Sequence, residues 1–194
     1  MQTNAGQTAG VGRPKVSSRQ LIEDAAAELF IENTYARTTI DQITTRAGVS
    51  RATFFNYFSA KTDLLWFDVD RAIDALGVAC VPDDRKDPIA ALAAAVLEVG
   101  AGFDGRQVPL ALSQQEVMGS SAEIAESGLS RVAALTRVFE SYLGGDAPRA
   151  TSYILAGAVA AGWLDWVRAG IGRAPLTGYL ADSLDIARGG VTPS

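Results

Sequence analysis

Leu21, Ile22, Ala25, Ala26, Leu29 and Phe30 recur at the three-and-four spacing that lines one face of a helix. Ser17 with Gln20 reads as a capping box opening that helix. Tyr35 and Ile40 follow where they can close over the stripe, and Ile43, Ala47, Val49, Phe54 and Phe58 complete a small three-helix core. A helix from about Lys61 to Ala79 comes next. After the charged stretch Val81–Pro88, Asp87 is placed as an N-cap and Pro88 at the first helical position. The pattern then predicts helices over Pro88–Phe103 and, more briefly, Leu110–Met118. A longer one is opened by Ser120 and Glu123 and stopped at Gly144-Gly145. Helices over Pro148–Ala169 and Pro175–Ala187 end the series at Gly189-Gly190. No segment alternates polar and apolar residues at period two, so the fold class is all-α.

Within the first third, two short helices meet at Ala47-Gly48-Val49. Gly48 supplies the left-handed backbone that turns the chain sharply. Thr38 and Asp41 read as a capping box for the first of the pair, and Ser50 as the N-cap of the second. Helix–turn–helix pairs of this shape lay their second helix in the major groove of DNA. Three parts are therefore expected. Residues 1–16, rich in Gly, Thr and Gln, form a disordered basic arm. Residues 17–63 form a helix–turn–helix DNA-binding module, and residues 64–190 a helical ligand-binding and dimerisation bundle.

The segment from Ala25-Ala26 and Leu29-Phe30 resembles the DNA-binding region of tetracycline-repressor-like (TetR) bacterial regulators. The likeness runs through Tyr35, Thr38-Thr39-Ile40, Ile43, Ala47-Gly48-Val49-Ser50, Thr53-Phe54-Phe55-Asn56-Tyr57-Phe58 and Lys61 to Leu64-Leu65. It covers roughly residues 17–75. Two positions depart from the family pattern. Thr34 stands where a Gly usually precedes the aromatic, predicting a differently shaped turn, and Phe55 replaces a common Tyr and loses its hydroxyl. The resemblance implies a ligand-responsive repressor that binds a pseudo-palindromic operator on double-stranded DNA as a dimer. A regulator with no small-molecule ligand, controlled through a protein partner, is the alternative.

Candidate contacts follow from side-chain chemistry. Arg51, near the start of the second helix, suits bidentate contact with guanine O6 and N7. Asn56 suits adenine or a phosphate, Thr53 a thymine methyl or a phosphate, and Phe55 a thymine methyl or sugar. Thr39, Tyr57 and Lys61 are expected on phosphates, and Arg46 near the backbone. Thr38, Ser50 and Ala52 complete the expected DNA-facing set. Arg13 and Lys15, on the arm, are placed to enter a neighbouring minor groove.

Charge sharpens this division. Residues 1–65 hold seven basic and six acidic side chains, whereas the remainder holds ten and sixteen. The body repels DNA and one end attracts it. The chain contains no histidine, which excludes Ser-His-Asp catalysis and His-ligated zinc. No metal, cofactor or enzymatic activity is expected. Gly100–Gly105 matches G-x-G-x-x-G but follows an Ala-rich helix, so it reads as a terminator and bend. Asp83, Asp84 and Asp87 lack the spacing of a calcium loop, and Asp68 and Asp70, two apart on a helix, do not face each other. The lone Cys80 reads as a buried, inert thiol. With no apolar leader and no membrane-length span, a cytoplasmic protein without membrane contact is expected.

The C-terminal bundle is expected to enclose a pocket for a small apolar or amphipathic effector, acyl-CoA-like molecules being one class suggested by the resemblance. Candidate lining residues are Trp66, Phe67, Phe103, Leu110, Leu112, Met118, Phe139, Trp163 and Trp166. Within a helix over about 148–169, residues 153–164 are apolar around every face and rich in Gly and Ala, and residues about 175–187 carry a stripe of Leu176, Leu180 and Leu184. These two helices are expected to pair with their copies in a homodimer, as they do in the resembling family.

Overall fold

The computed structural model describes residues 17–81, 86–103, 108–145, 147–170 and 172–191, and every regular element among them is helical. The order is α1 (Ser18–Asn33), α2 (Ile40–Ala47), α3 (Arg51–Phe55), a 3-10 segment (Lys61–Leu65), α4 (Phe67–Ala79), α5 (Pro88–Gly100), α6 (Leu110–Ser113), α7 (Gln115–Met118), α8 (Ser121–Leu143), α9 (Arg149–Arg168) and α10 (Leu176–Val191). The arm carrying Arg13 and Lys15, the acidic pair Asp83 and Asp84, and the end of the glycine-rich stretch lie outside the described residues.

Two apolar cores organise the chain. The first gathers Ile22, Ala26, Phe30, Ile43, Phe54 and Phe58 from α1–α3, together with Leu64, Leu65, Trp66, Leu112, Met118 and Ile124. It therefore extends past residue 63 into the 3-10 segment, α6, α7 and α8. The second is built by α4, α5, α8, α9 and α10 around Leu92, Phe139, Leu155, Trp166, Leu176 and Leu180. A backbone hydrogen bond from Tyr35 N to Met118 O, 2.6 Å, stitches the turn after α1 to α7.

Several helix ends differ from expectation, each for a local reason. Ser17 does cap α1 by accepting from Gln20 N, but the Gln20 amide donates forward to Asp24 at 2.8 Å, so the box is not reciprocal. The box on α2 begins one residue later than expected. Thr39 and Gln42 exchange the bonds, because Thr38 is buried and its hydroxyl donates to the carbonyls of Leu29 and Thr34. The expected helix over 61–79 is broken at Trp66, where φ −120° and ψ 2° separate the 3-10 turn from α4. Ser120 precedes α8, yet its buried hydroxyl caps nothing. Gly189-Gly190 do not stop α10, which runs through them to Val191. Gly100, the last residue of α5, lets Leu180 pack close against the helix: an added Cβ would lie 2.6 Å from Leu180 Cδ1.

Thr34 is the residue where sequence and geometry collide. It takes φ 68° and ψ 158°, the only positive φ outside glycine among the described residues. The turn therefore keeps a glycine-like path despite the Thr side chain, which lies against Gly119. That backbone region is costly for any residue with a Cβ, by about 1–3 kcal/mol. The surroundings over-determine it: Thr34 N donates to Phe30 O, and the next residue is tied to Met118. Thr34→Gly should accordingly raise the unfolding free energy by about 1 kcal/mol, strain relief outweighing the added chain entropy. A urea midpoint that falls in this variant would show the turn to be unstrained.

Candidate nucleic-acid interface and internal cavity

The outward surface of the first unit is built by α2, the turn at Gly48 (φ 67°) and α3. Ser50 starts α3 by accepting from Thr53 N at 3.0 Å, and its hydroxyl also meets Thr53 Oγ1 at 2.8 Å. α3 is a single five-residue turn, shorter than the sequence pattern implied, with Asn56 as its C-cap and Tyr57 beyond it. Phe54, completely buried, and Phe58, 5.5 Å away by ring centroid, pin it to the core. The opposite face leaves Arg51, Ala52, Phe55, Asn56 and Tyr57 exposed, with Thr53 half-buried.

Arg51 leans back across the turn to the Asp41 carboxylate and over the Phe55 ring at 5.6 Å. Both partners of the ion pair remain more than half exposed, so water and salt weaken it. Thr39 is exposed at the start of α2. Arg37, in the turn just before it, is exposed and carries no ion pair among the described residues. Sequence reasoning counted Arg37 only as charge. Its place in the turn between α1 and α2, two residues before Thr39, was the available signal.

Three expected contacts are occupied elsewhere. Thr38 is buried and spends its hydroxyl on α1, as described. Lys61 donates from Nζ to Tyr35 O at 2.8 Å and Thr38 O at 2.9 Å, and lies 3.9 Å over the Tyr35 ring. Burial lowers its pKa, the Glu123 charge acting in the opposite sense. Lys61 is thus a clasp across the turn after α1 and not a free phosphate clamp. Arg46 is gripped by Glu32 (2.8 Å) and Glu28 (3.0 Å) on α1; the Glu32 hydrogen bond raises its pKa and lowers that of Glu32. It orients α2 on α1.

A cavity of about 460 Å³ lies between α4, α8 and α9. Its wall is largely apolar, with Val69, Ile73, Ile124, Val132 and Val159 among its members, and its charged members are Arg131 and Arg168. Of the residues expected there, Trp66, Leu112 and Trp163 line it. Met118, Phe139 and Trp166 are instead buried in the two cores. Phe67, Phe103 and Leu110 also lie off the wall: Phe103 packs edge-on against Trp163 at 4.8 Å, Phe67 sits under Arg71, and Leu110 is exposed. Several of the largest side chains filled space, and the gap opened between α4, α8 and α9, where small and β-branched residues stand among the larger ones. Cys80 is buried, which pushes its thiol pKa up and away from reactivity.

The arrangement defines a helix–turn–helix DNA-binding protein: a short capped helix held rigidly from beneath, polar on its free face, and joined to a hollow helical bundle. Residues 22–65 match the profile described as "Bacterial regulatory proteins, tetR family". A relative in Mycobacterium tuberculosis, named "Putative mycofactocin biosynthesis transcriptional regulator MftR", is 25% identical over 167 residues, covering 81% of this chain and 84% of that one. Among solved structures, the fatty acid degradation regulator FadR of Bacillus halodurans superimposes with TM-score 0.52 at 16% identity, covering 94% of this chain and all of that one. NalD of Pseudomonas aeruginosa, the secondary repressor of the MexAB-OprM efflux pump, does so with TM-score 0.53 at 21% identity, covering 88% and 96%. Both structural likenesses bear on the fold. Residues 22–65 are thus similar to the tetR family of bacterial regulatory proteins, and the chain is a DNA-binding transcriptional regulator.

Replacing Lys61 with Met should lower the unfolding free energy by about 2 kcal/mol, because two carbonyls lose a charged donor and each such bond contributes about 1.5–3 kcal/mol before solvent compensation. Urea denaturation measures this directly, and an unchanged midpoint would remove Lys61 from the framework.

Proposed function

We propose that the chain is an effector-released repressor, reading a pseudo-palindromic operator with α3 of each of two copies. Residues 17–63 act as the reading unit and 64–190 as the regulatory unit. The observation that carries the proposal is the free face of α3, where Arg51, Thr53, Phe55, Asn56 and Tyr57 surround a backbone fixed by Phe54 and Ser50. Arg51 is the base reader. It is tethered to Asp41 in the absence of DNA and exchanges that carboxylate for guanine O6 and N7 in the major groove. Asn56 serves adenine or a phosphate, and Ala52 and Phe55 give apolar contact to thymine methyls or sugars. Ser50, Thr39, Tyr57 and the newly placed Arg37 approach phosphates, which fix register without reading sequence.

Pairing of two copies is assigned to the outward face of α9. Tyr153, Ile154, Gly157, Ala161 and Leu164 are all exposed there, at helical spacing, and a Cβ at Gly157 would meet nothing within 4 Å. The leucine stripe expected to mediate this contact on α10 is spent inside the chain: Leu176, Leu180 and Leu184 are buried in the second core. Gly162 likewise serves the α9–α10 contact within one copy, an added Cβ there lying 2.9 Å from Tyr179 O. An isologous α9–α9 contact sets the separation of the two α3 helices, and hence the half-site spacing.

The cavity is taken as the effector site, for an apolar or amphipathic molecule. Its volume is within the range of small-molecule pockets. A tenfold to hundredfold release of DNA needs only about 1.4–2.7 kcal/mol of differential affinity between two arrangements of the bundle. The chain acts by binding and not by catalysis. Among the described residues no helix is long and apolar enough to cross a membrane, and the cytoplasm, where operator DNA lies, is the proposed location.

Selection of bound duplexes from a random pool tests the whole reading, and the expected product is an inverted repeat. Failure to enrich any sequence over bulk competitor would overturn it. On the enriched duplex, Arg51→Ala should cost about 1–3 kcal/mol and relax preference at one base pair per half-site. Ala161→Glu, on an exposed position, should shift a micromolar solution from dimer to monomer in sedimentation while leaving helix content unchanged.

A further inference from the structure

Resting on the reading of the cavity as an effector site, we infer that Arg131 is the sensor within it, that the effector is an apolar molecule ending in an anionic oxygen group, and that the signal leaves through Asp63. Arg131 lies on α8 in the cavity wall and is mostly buried. Its guanidinium lies 5.3 Å over Trp66, another wall residue, whose indole Nε1 donates to Ser127 Oγ at 2.8 Å. From there Arg131 reaches out of the cavity in two directions. Nε and Nη2 donate to the Asp70 carboxylate on α4 at 3.2 and 3.1 Å, and Nη2 donates to Asp63 Oδ1 at 3.3 Å.

Asp63 is the point of transfer. Its other oxygen, Oδ2, accepts from Ser59 N at 2.9 Å and Ala60 N at 3.0 Å, the backbone that leads out of α3. One carboxylate therefore ties the exit of the reading helix to the cavity wall. The tether runs through the 3-10 segment, which ends at the break before α4. The turn after α1 is held to the body separately, by the Tyr35–Met118 backbone bond, which has no side chain in it.

The chemistry selects the ligand class. Arginine donates and never accepts, so only an acceptor can claim it. No acidic residue lines the cavity, and its second cation, Arg168, has its carboxylate partner Asp165 at a loose 3.7 Å. Charge-assisted bonds settle at about 2.7–2.9 Å, and all three of Arg131's carboxylate contacts are longer than that. The single contact to Asp63 is the longest and the easiest to exchange. A ligand carboxylate arriving from the cavity, its tail along Val69, Ile73 and Val159, takes that place. Asp63 turns to water, the 3-10 segment loses its carboxylate tie to α8 and keeps only the Trp66–Ser127 bond at its far end, and the reading unit is freed to change its angle to the body. A neutral ligand of the same shape fills the cavity without this exchange.

Dodecanoate and dodecanol, identical except for the head, separate these outcomes on the full chain. Tryptophan fluorescence reports entry, since Trp66 and Trp163 line the wall. Affinity for the pool-enriched duplex reports release, and amide exchange over residues 59–66 reports the tether. In the parent, dodecanoate should weaken DNA binding at least tenfold and speed exchange over 59–66, whereas dodecanol should enter and change either by less than twofold. In Arg131→Gln, dodecanol should still enter, exchange should be fast without any ligand, and dodecanoate should alter DNA affinity by less than twofold. Arg131→Lys, which keeps the charge but not the fork, should respond between the two. Equal release by dodecanol and dodecanoate, or a parent-like response in Arg131→Gln, overturns the sensor. Entry of both probes with no effect on DNA overturns the relay and leaves the cavity a ligand site. If neither probe enters, the effector-cavity reading and this inference fall together.

Discussion

A helix of five residues cannot sustain itself. Forming its first turn fixes several dihedrals for one hydrogen bond, so α3 exists only because something outside it supplies the stability. That something is the burial of Phe54 and Phe58 against Ile22, Phe30 and Ile43, with Ser50 satisfying an orphan amide at the start. Every other feature of the DNA-facing surface depends on this anchoring. A rigid underside lets the exposed side chains be chosen for recognition alone, and α3 can stay short because length contributes nothing once the core holds it.

The same economy explains why basic residues near the interface are not all available to DNA. Arg46 and Lys61 are consumed in fastening α2 and the turn after α1, Arg46 on two α1 carboxylates and Lys61 on two backbone carbonyls. Arg37 and Arg51 remain toward solvent. A cation count over this region therefore overstates its positive surface.

Joining such a unit to a hollow bundle creates the regulatory problem of passing a small change through packed helices. The first core does not end where the reading unit ends. It continues through Leu64, Leu65 and Trp66 into residues of α6, α7 and α8, so the two parts share side chains and cannot move as if linked by a flexible joint. The helix itself is interrupted at Trp66, between a 3-10 turn and α4, although packing continues through that residue. The turn at Thr34, against Gly119, keeps a positive φ and is tied to α7 through the next residue.

The sequence by itself determined the all-helical class, the positions of most helices and the helix–turn–helix about Gly48. Those follow from local periodicity, caps at Ser17, Ser50 and Asp87, and the turn at Gly48, all of which act over a few residues. Only the tertiary structure decided which side chains were left free. Thr38, Lys61 and Leu180 look accessible as letters and are consumed by partners many positions away. The cavity was illegible for the same reason. It is defined by what three distant helices fail to fill, so Trp166 and Phe139 became core while Val69, Val132 and Arg131 became wall. Local pattern records which face of a helix is apolar; it does not record what that face meets.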